Sequence, residues 1–262
     1  MTAALGRGER ALLGALGLAG FAAVFELVPR VGLVSPRYLP PTSVTVAALA
    51  HEVLAAGFWR ALVDTVVGWA LGLAIAAAAG IVFGIVIGSV RGLRGATAST
   101  IEFLRPIPSV ALVPVAVLLF GAQLRSTLLL VVYASFWPIL LQVIHGVADV
   151  DPVARDTALS YRFTPWGKIR YVLLPTGLPY IMTGLRLSAA VALILAITAE
   201  LVIGAPGLGN EIGVAMASSA VPAMYALVLV VGLLGVAVNL GFRALERRVL
   251  AWHPSVRLEA AA

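Results

Sequence analysis

The chain is 262 residues long, 61% hydrophobic and only 11% charged, with a mean hydropathy of +1.04. A soluble domain of this size would expose too much apolar surface to stay dissolved, so the class is a polytopic helical membrane protein. There is no cysteine, which excludes thiolate catalysis, disulfides and cysteine-based metal sites, and the net charge of +6 is scattered between apolar runs, where it sets topology rather than binding nucleic acid.

Residues 1–10 form a short basic leader with Arg7 and Arg10. The apolar run 11–28, broken only by Glu26, is expected to be a retained first span rather than a cleaved signal peptide, because several spans follow it. Residues 29–41 are irregular. The stretch TSVTVAALAHEVLAA, residues 42–56, reads as a short helix stopped by Gly57. The second span is expected at 61–89. No charge occurs between Thr65 and Val90, a run long enough to cross a ~30 Å hydrocarbon core with some tilt. Gly68, Gly72, Ala76, Gly80, Gly84 and Gly88 recur at every fourth position. Such a ridge lets another helix backbone come close, so Gly80, Gly84 and Gly88 are candidate packing residues and this span should be buried in the bundle.

Arg91 and Arg94 mark the next loop. The third span, 106–120, opens with prolines that interrupt the helix ladder (Pro106, Pro108 and Pro114). A turn at 121–125 leads to the fourth span, 126–147. The fifth, 178–202, carries Arg186 and Glu200, and a turn-rich stretch, GAPGLGNEIG, with a short helical piece beyond it separates it from the sixth, 222–242. Six spans put both termini on one side, with most of the arginines and Lys168. That bias makes the side cytoplasmic, in a single transmembrane domain covering 1–262.

Between spans four and five lies a charged, proline-punctuated loop, 149–175. Asp151-Pro152 and Thr164-Pro165 are both helix start signals, so two short helices joined by a turn near 160–163 are expected. On the first, Val153, Thr157 and Tyr161 fall at i, i+4 and i+8, with Ala154 and Ala158 beside them and Arg155 and Asp156 flanking. Periodicity alone fits a loop lying on the bilayer surface as well as a docking element.

Catalytic motifs are absent. Gly167-Lys168 lacks the upstream glycine of a phosphate loop and is followed by Ile169; His51, His145 and His253 lie far apart, so no metal site is expected. Asp64 and Glu200 are the intramembrane acids, and such residues are candidates for a solute or ion pathway.

The central loop resembles the EAA loop of ABC importer permeases. Asp156, Thr157 and Ala158 stand at its Glu-Ala-Ala, Arg162 at its glycine, and Val172, Leu174 and Pro175 at its Ile-x-Leu-Pro, with the spacing kept. Arginine cannot take φ > 0 as freely as glycine, so the turn at Arg162 must differ or be mildly strained. The segments 105–121, Gly184-Leu185-Arg186, Ala199-Glu200-Leu201, Gly207-Leu208-Gly209 and the closing RALERRVLAWH resemble one branch. Its permeases serve sulfonates, taurine and nitrate, with related importers of bicarbonate and vitamin precursors.

The resemblance implies an all-α, MetI-like fold of six transmembrane helices with a cytoplasmic helix–turn–helix coupling loop between spans four and five. It implies a non-catalytic subunit in the plasma (inner) membrane, paired with a second copy of itself. Two ATPase subunits would dock on 152–161 and hold the ATP and magnesium, with no cofactor in this chain, and an extracytoplasmic binding protein would deliver the solute. Val153, Ala154, Arg155, Asp156, Thr157, Ala158, Tyr161 and Arg162 would then be the coupling residues. Where that branch tends to open its second span with arginine, this chain has Asp64. Two other readings stay open. One is an ion-coupled secondary transporter using Asp64 and Glu200, although no two-half repeat is visible; the other is a non-transporting membrane scaffold.

Overall fold

Three helices carry the core: α3 (Ala56–Ser89), α6 (Leu124–Ala148) and α9 (Leu174–Ile203). They belong to a computed structural model that describes residues 7–252, so His253 and Arg257 fall outside it. The α3 face that meets α6 is the every-fourth-residue stripe. A Cβ added at Gly72, Gly80, Gly84 or Gly88 would lie 2.5, 2.9, 2.6 and 2.9 Å from Val131, Ile139, Val143 and Val147 respectively. The partners advance in step with the glycines, so the two helices run parallel in one register. In a bilayer, where lipid is as apolar as leucine, such close approach supplies the dispersion contacts that hold helices together.

Helices α6 and α9 are antiparallel and as tightly packed. Gly146 faces Tyr180 and Gly177 at one end, and Gly184 faces Ile139 and Gln142 further along. Ser188 donates to the Ser135 carbonyl at 2.7 Å and Ser135 returns a longer bond to the Ser188 carbonyl at 3.4 Å. Interhelical bonds of this kind contribute about 0.6 kcal/mol each in membranes, so packing dominates. Trp69 on α3 donates to the Ala189 carbonyl of α9 at 2.9 Å, closing the three-helix layer.

Among the described residues five helices are long and apolar enough to cross a membrane, and six spans result if one bent pair is counted as a crossing. That pair is where the expected third span differs. Residues 91–104 form helix α4 (Arg91–Leu104) instead of a loop. A bend of 80° follows, then a 3-10 turn (Ser109–Leu112) and α5 (Val113–Phe120). Eight residues of helix reach only ~12 Å, so α5 alone cannot cross; the crossing requires α4 as well. Pro106 and Pro108 fall at the break, and each removes an N–H from the helix ladder, although Arg105 before Pro106 still holds helical geometry. Tyr133 in the middle of α6 donates to the Leu104 carbonyl at 2.6 Å, satisfying an acceptor that the break releases.

Helix α1 (Arg7–Arg30) stands to one side with its leucines and Phe21 exposed. It is tied to α2 (Thr42–Leu54) through Glu26, which accepts from the Ser43 backbone at 2.9 Å and pairs with Arg30 at 2.5 Å. Gly57 does not stop α2. The chain is extended at Ala55 and α3 begins at Ala56, so Gly57 lies inside a helix long enough to absorb its cost of about 1 kcal/mol. Helix α11 (Val221–Val249) lies against α2, α9 and α10 (Leu208–Ala217), and with α3 they enclose a second apolar cluster of Phe58, Ala61, Leu208, Ile212, Ala215 and Leu227.

The loop forms α7 (Pro152–Ser160), then a turn, then α8 (Pro165–Lys168). Asp151 caps the first by accepting from Val153 N–H at 2.7 Å, and Thr164 caps the second by accepting from Gly167 N–H at 3.1 Å. The second helix is not a separate short one. It continues through a π-helical turn (Ile169–Leu173) into α9, so the fifth span begins well before residue 178. At the end of α7, Phe163 N–H bonds the Ala158 carbonyl and Arg162 N–H the Leu159 carbonyl, the paired pattern of a Schellman stop. Its C′ residue is Arg162 at φ +53°, so the turn keeps the glycine geometry with a side chain in it, at a strain of ~1–2 kcal/mol.

Candidate functional site

Two regions gather the candidate residues, at opposite ends of the bundle. The first is α7. Ala158 is buried and faces Val147, Val150 and Leu173 across a cavity of about 240 Å³, which Arg155, Leu159 and Lys168 also line. Of the proposed coupling residues, Ala158 therefore turns toward the bundle and seats the helix, while Arg155 borders the cavity. Val153 and Tyr161 are 71% and 76% exposed, and Ala154, Asp156, Thr157 and Arg162 are exposed with them. Thr157 bonds back to the Val153 carbonyl at 2.7 Å, so it caps its own turn instead of reaching outward.

The surface is wider than the spacing suggested. Trp166 and Tyr171 are exposed beside α7, and Tyr171 packs edge-on against Phe163 with Arg170 lying over its ring. Their aromatic spacing (163, 166, 171) is visible in the sequence, but the packing of Phe163 on Tyr171 is not. Tyr180 donates to Asp149 at 2.8 Å and ties the start of the loop to α9.

The second region surrounds Glu200, which is 1% exposed near the end of α9. Its Oε2 accepts from the Thr65 hydroxyl at 2.8 Å and from Gly209 N–H at 3.0 Å, while the Thr65 oxygen accepts from Leu208 N–H at 2.8 Å. A carboxylate from one helix and a hydroxyl from another thus satisfy two of the free N–H groups that open α10. The position suits a negative charge, because a helix N-terminus carries partial positive charge. The flanking glycines follow from this contact. Gly207 sits at φ +150°, and a Cβ on it would overlap the Glu200 carboxylate; a Cβ on Gly209 would strike the Ile197 carbonyl. Thr65 escaped the sequence reading, although it is the polar residue that opens the uncharged run.

Asp64, the other acidic candidate, is exposed and has no ion pair among the described residues. The structure therefore joins Glu200 to Thr65 and α10, and leaves Asp64 outside that network. Arg186 pairs with Glu246 at 3.1 Å, linking α9 to α11 along an apolar groove of about 410 Å³. Among the described residues no group of three or more potential ligands could hold a metal ion.

Comparison with known proteins agrees with this architecture. The chain is 32% identical over 245 residues to the taurine transport system permease protein TauC of Escherichia coli K12, covering 92% of this chain and 89% of that one. It is 29% identical over 246 residues to the putative aliphatic sulfonates transport permease protein SsuC of Bacillus subtilis 168, covering 89% and 84%. Among solved structures it superposes on the inward-facing MetNI methionine ABC transporter with a TM-score of 0.64 at 17% identity, over 74% of this chain and 96% of that one; the likeness is one of fold. Residues 80–251 match the family described as binding-protein-dependent transport system inner membrane component. The chain is a multi-pass membrane protein that belongs to this family.

Proposed function

We propose that this chain is the permease subunit of an ATP-driven importer for a small sulfonate such as taurine. Helix α7 carries the reading: it is capped at both ends, seated by Ala158, and presents Val153 and Tyr161 to solvent beside Trp166 and Tyr171. An exposed aromatic and aliphatic surface on a firmly seated helix suits docking, because aromatic anchors dominate interface energy. Similarity to taurine and aliphatic sulfonate permeases supports the solute class.

In this reading two ATPase subunits hold ATP and magnesium and dock on α7 of two copies of the chain, while an extracytoplasmic binding protein delivers solute at the α10 end. The residues described form one transmembrane domain that is not itself catalytic. ATP and loaded binding protein each favour one of two bundle arrangements, and their differential affinity drives the exchange. Glu200 acts as an anchor for α10 and not as a solute ligand.

Proteoliposomes holding the chain with its co-encoded ATPase and binding protein test this. Uptake of taurine should require ATP and survive collapse of ion gradients. Tyr161→Ala or Val153→Glu should weaken ATPase association by at least ~30-fold, as loss of an interface anchor does. Uptake that follows an ion gradient without ATP would refute the proposal.

Orientation is tested separately on the cysteine-free background. Ser218→Cys, next to α10, should react with an impermeant thiol reagent in intact cells, and Ser160→Cys on α7 only after permeabilisation. The reverse pattern would place α7 outside.

A further inference from the structure

A cavity of about 610 Å³ opens between α4 and α6 at the α7 end of the bundle, distinct from the one beneath α7. Its wall brings together Arg94, Glu102, Arg105 and His145, over a floor that includes Leu141 and Ile144. Arg94 donates through Nη2 to the Gly88 carbonyl, yet its Nε is buried with no hydrogen-bond partner among the described residues. Arg105 follows Leu104 directly at the bend between α4 and α5, and with Glu102 and His145 it is exposed around the opening of the cavity.

Neither arginine has a counter-ion among the described residues. The ion pairs among the described residues are Arg30–Glu26 and Arg186–Glu246. Glu102, in the last turn of α4, and Arg105, just past its end, stand three positions apart, close enough in sequence to pair, and they do not. A buried donor left without a partner, as the Arg94 Nε is, carries a desolvation cost that a ligand oxygen would relieve. Two unpaired guanidiniums and an imidazole around a space much larger than a water molecule make a donor set for an oxyanion, because guanidinium forks match such oxygens in pairs. The unpaired carboxylate beside them adds an acceptor for a cation a few atoms away.

We propose that this cavity binds a zwitterionic headgroup, with a sulfonate or phosphate oxyanion between Arg94, Arg105 and His145 and an ammonium at Glu102. Two sources share that chemistry: a free aminoalkyl sulfonate, and the headgroup of an ethanolamine phospholipid whose first methylenes would lie on Leu141 and Ile144. The site opens beside α4 and α6 just before the loop that leads to α7, so its occupant would bear on the helix ends that move with α7.

The test uses the full chain, purified in a neutral detergent and in nanodiscs. Taurine binding is followed by calorimetry, and retention of phosphatidylethanolamine by native mass spectrometry. Arg94→Gln combined with Arg105→Gln should weaken whichever probe binds by tenfold or more. Glu102→Gln should act oppositely on two probe classes, weakening taurine or phosphatidylethanolamine about tenfold while leaving unchanged or strengthening ethanesulfonate or phosphatidylglycerol. A purely structural role would not produce that reversal, and it remains readable if the double arginine variant fails to fold. Taurine binding alone identifies a solute site, lipid retention alone a lipid site, and both a site that reads the shared headgroup. No binding of either probe to the unaltered chain, or binding indifferent to these substitutions, would overturn the proposal. Binding is read on the isolated chain and transport on the assembled importer, so either proposal can fail while the other stands.

Discussion

Gly84→Leu is expected to leave no folded bundle to purify. A Cβ at Gly84 would already lie 2.6 Å from the Cβ of Val143 and 3.2 Å from the Leu140 carbonyl oxygen, and a backbone carbonyl cannot swing aside as a side chain can. Leucine adds three further carbons beyond that point. Helices α3 and α6 would have to part along their whole contact, giving up the packing of Val131, Ile139, Val143 and Val147 together. Inserting extra methylenes into a packed core costs about 1–3 kcal/mol where neighbours can adjust. Here they cannot, and the loss approaches the whole ~5–15 kcal/mol that holds a typical domain. Gly84→Ala should be intermediate. Gly241→Leu on α11, with nothing within 4 Å of its Cβ, should not destabilise the bundle and should gain up to about 1 kcal/mol of helix propensity. Thermal melting in detergent and limited proteolysis read all three. A Gly84→Leu variant that melts like the parent would show that the α3–α6 contact is not what holds the bundle.

This contact was legible in the sequence because a helix repeats on itself: one residue in four, kept from Gly68 to Gly88, can only be a face. The apolar spans and the caps of α7 were legible for the same reason, since each is a local pattern. Three other features were not. Helix α4 carries two arginines, two glycines and several hydroxyls, so its composition reads as a loop, although its few apolar residues keep a helical period. The inward turn of Ala158 depends on how α7 sits on the ends of α6 and α9, which its own periodicity does not state. Arg162 lay between two outcomes, a different turn or a strained one, and the hydrogen bonds to Ala158 and Leu159 hold it in the strained one. Least legible was the network around Glu200, whose members Thr65 and Leu208 are separated by 143 positions and meet only because three helices converge. The motifs Ala199-Glu200-Leu201 and Gly207-Leu208-Gly209 were visible as separate signatures; the overlap between a Gly207 Cβ and the Glu200 carboxylate makes them one.

That network yields the second large effect, in which two substitutions at one position are expected to part company. Glu200→Ala removes the acceptor for Thr65 and for Gly209 N–H at a position that is only 1% exposed. Each buried group left unpaired costs about 1–3 kcal/mol, partly offset because a desolvated carboxylate goes with it. Helix α10 would then lose the hold on its first turn, and with it the shape of the surface at that end of the bundle. Transport should fall about a hundredfold, equivalent to ~3 kcal/mol. Glu200→Gln keeps one carbonyl oxygen, and both hydrogen bonds described go to a single oxygen, Oε2. The amide NH2 takes the place of Oε1. Transport should therefore fall less than tenfold, at most ~1.4 kcal/mol, and the rank order of solutes should not change. Uptake of taurine, ethanesulfonate and a neutral solute in proteoliposomes measures this, with amide exchange across α10 as the structural readout. Exchange there should rise steeply in the Ala variant and little in the Gln variant. If Gln proves as damaging as Ala, or reorders the solutes while α10 stays protected, then the charge itself is being used and Glu200 belongs to the pathway instead of to the anchor.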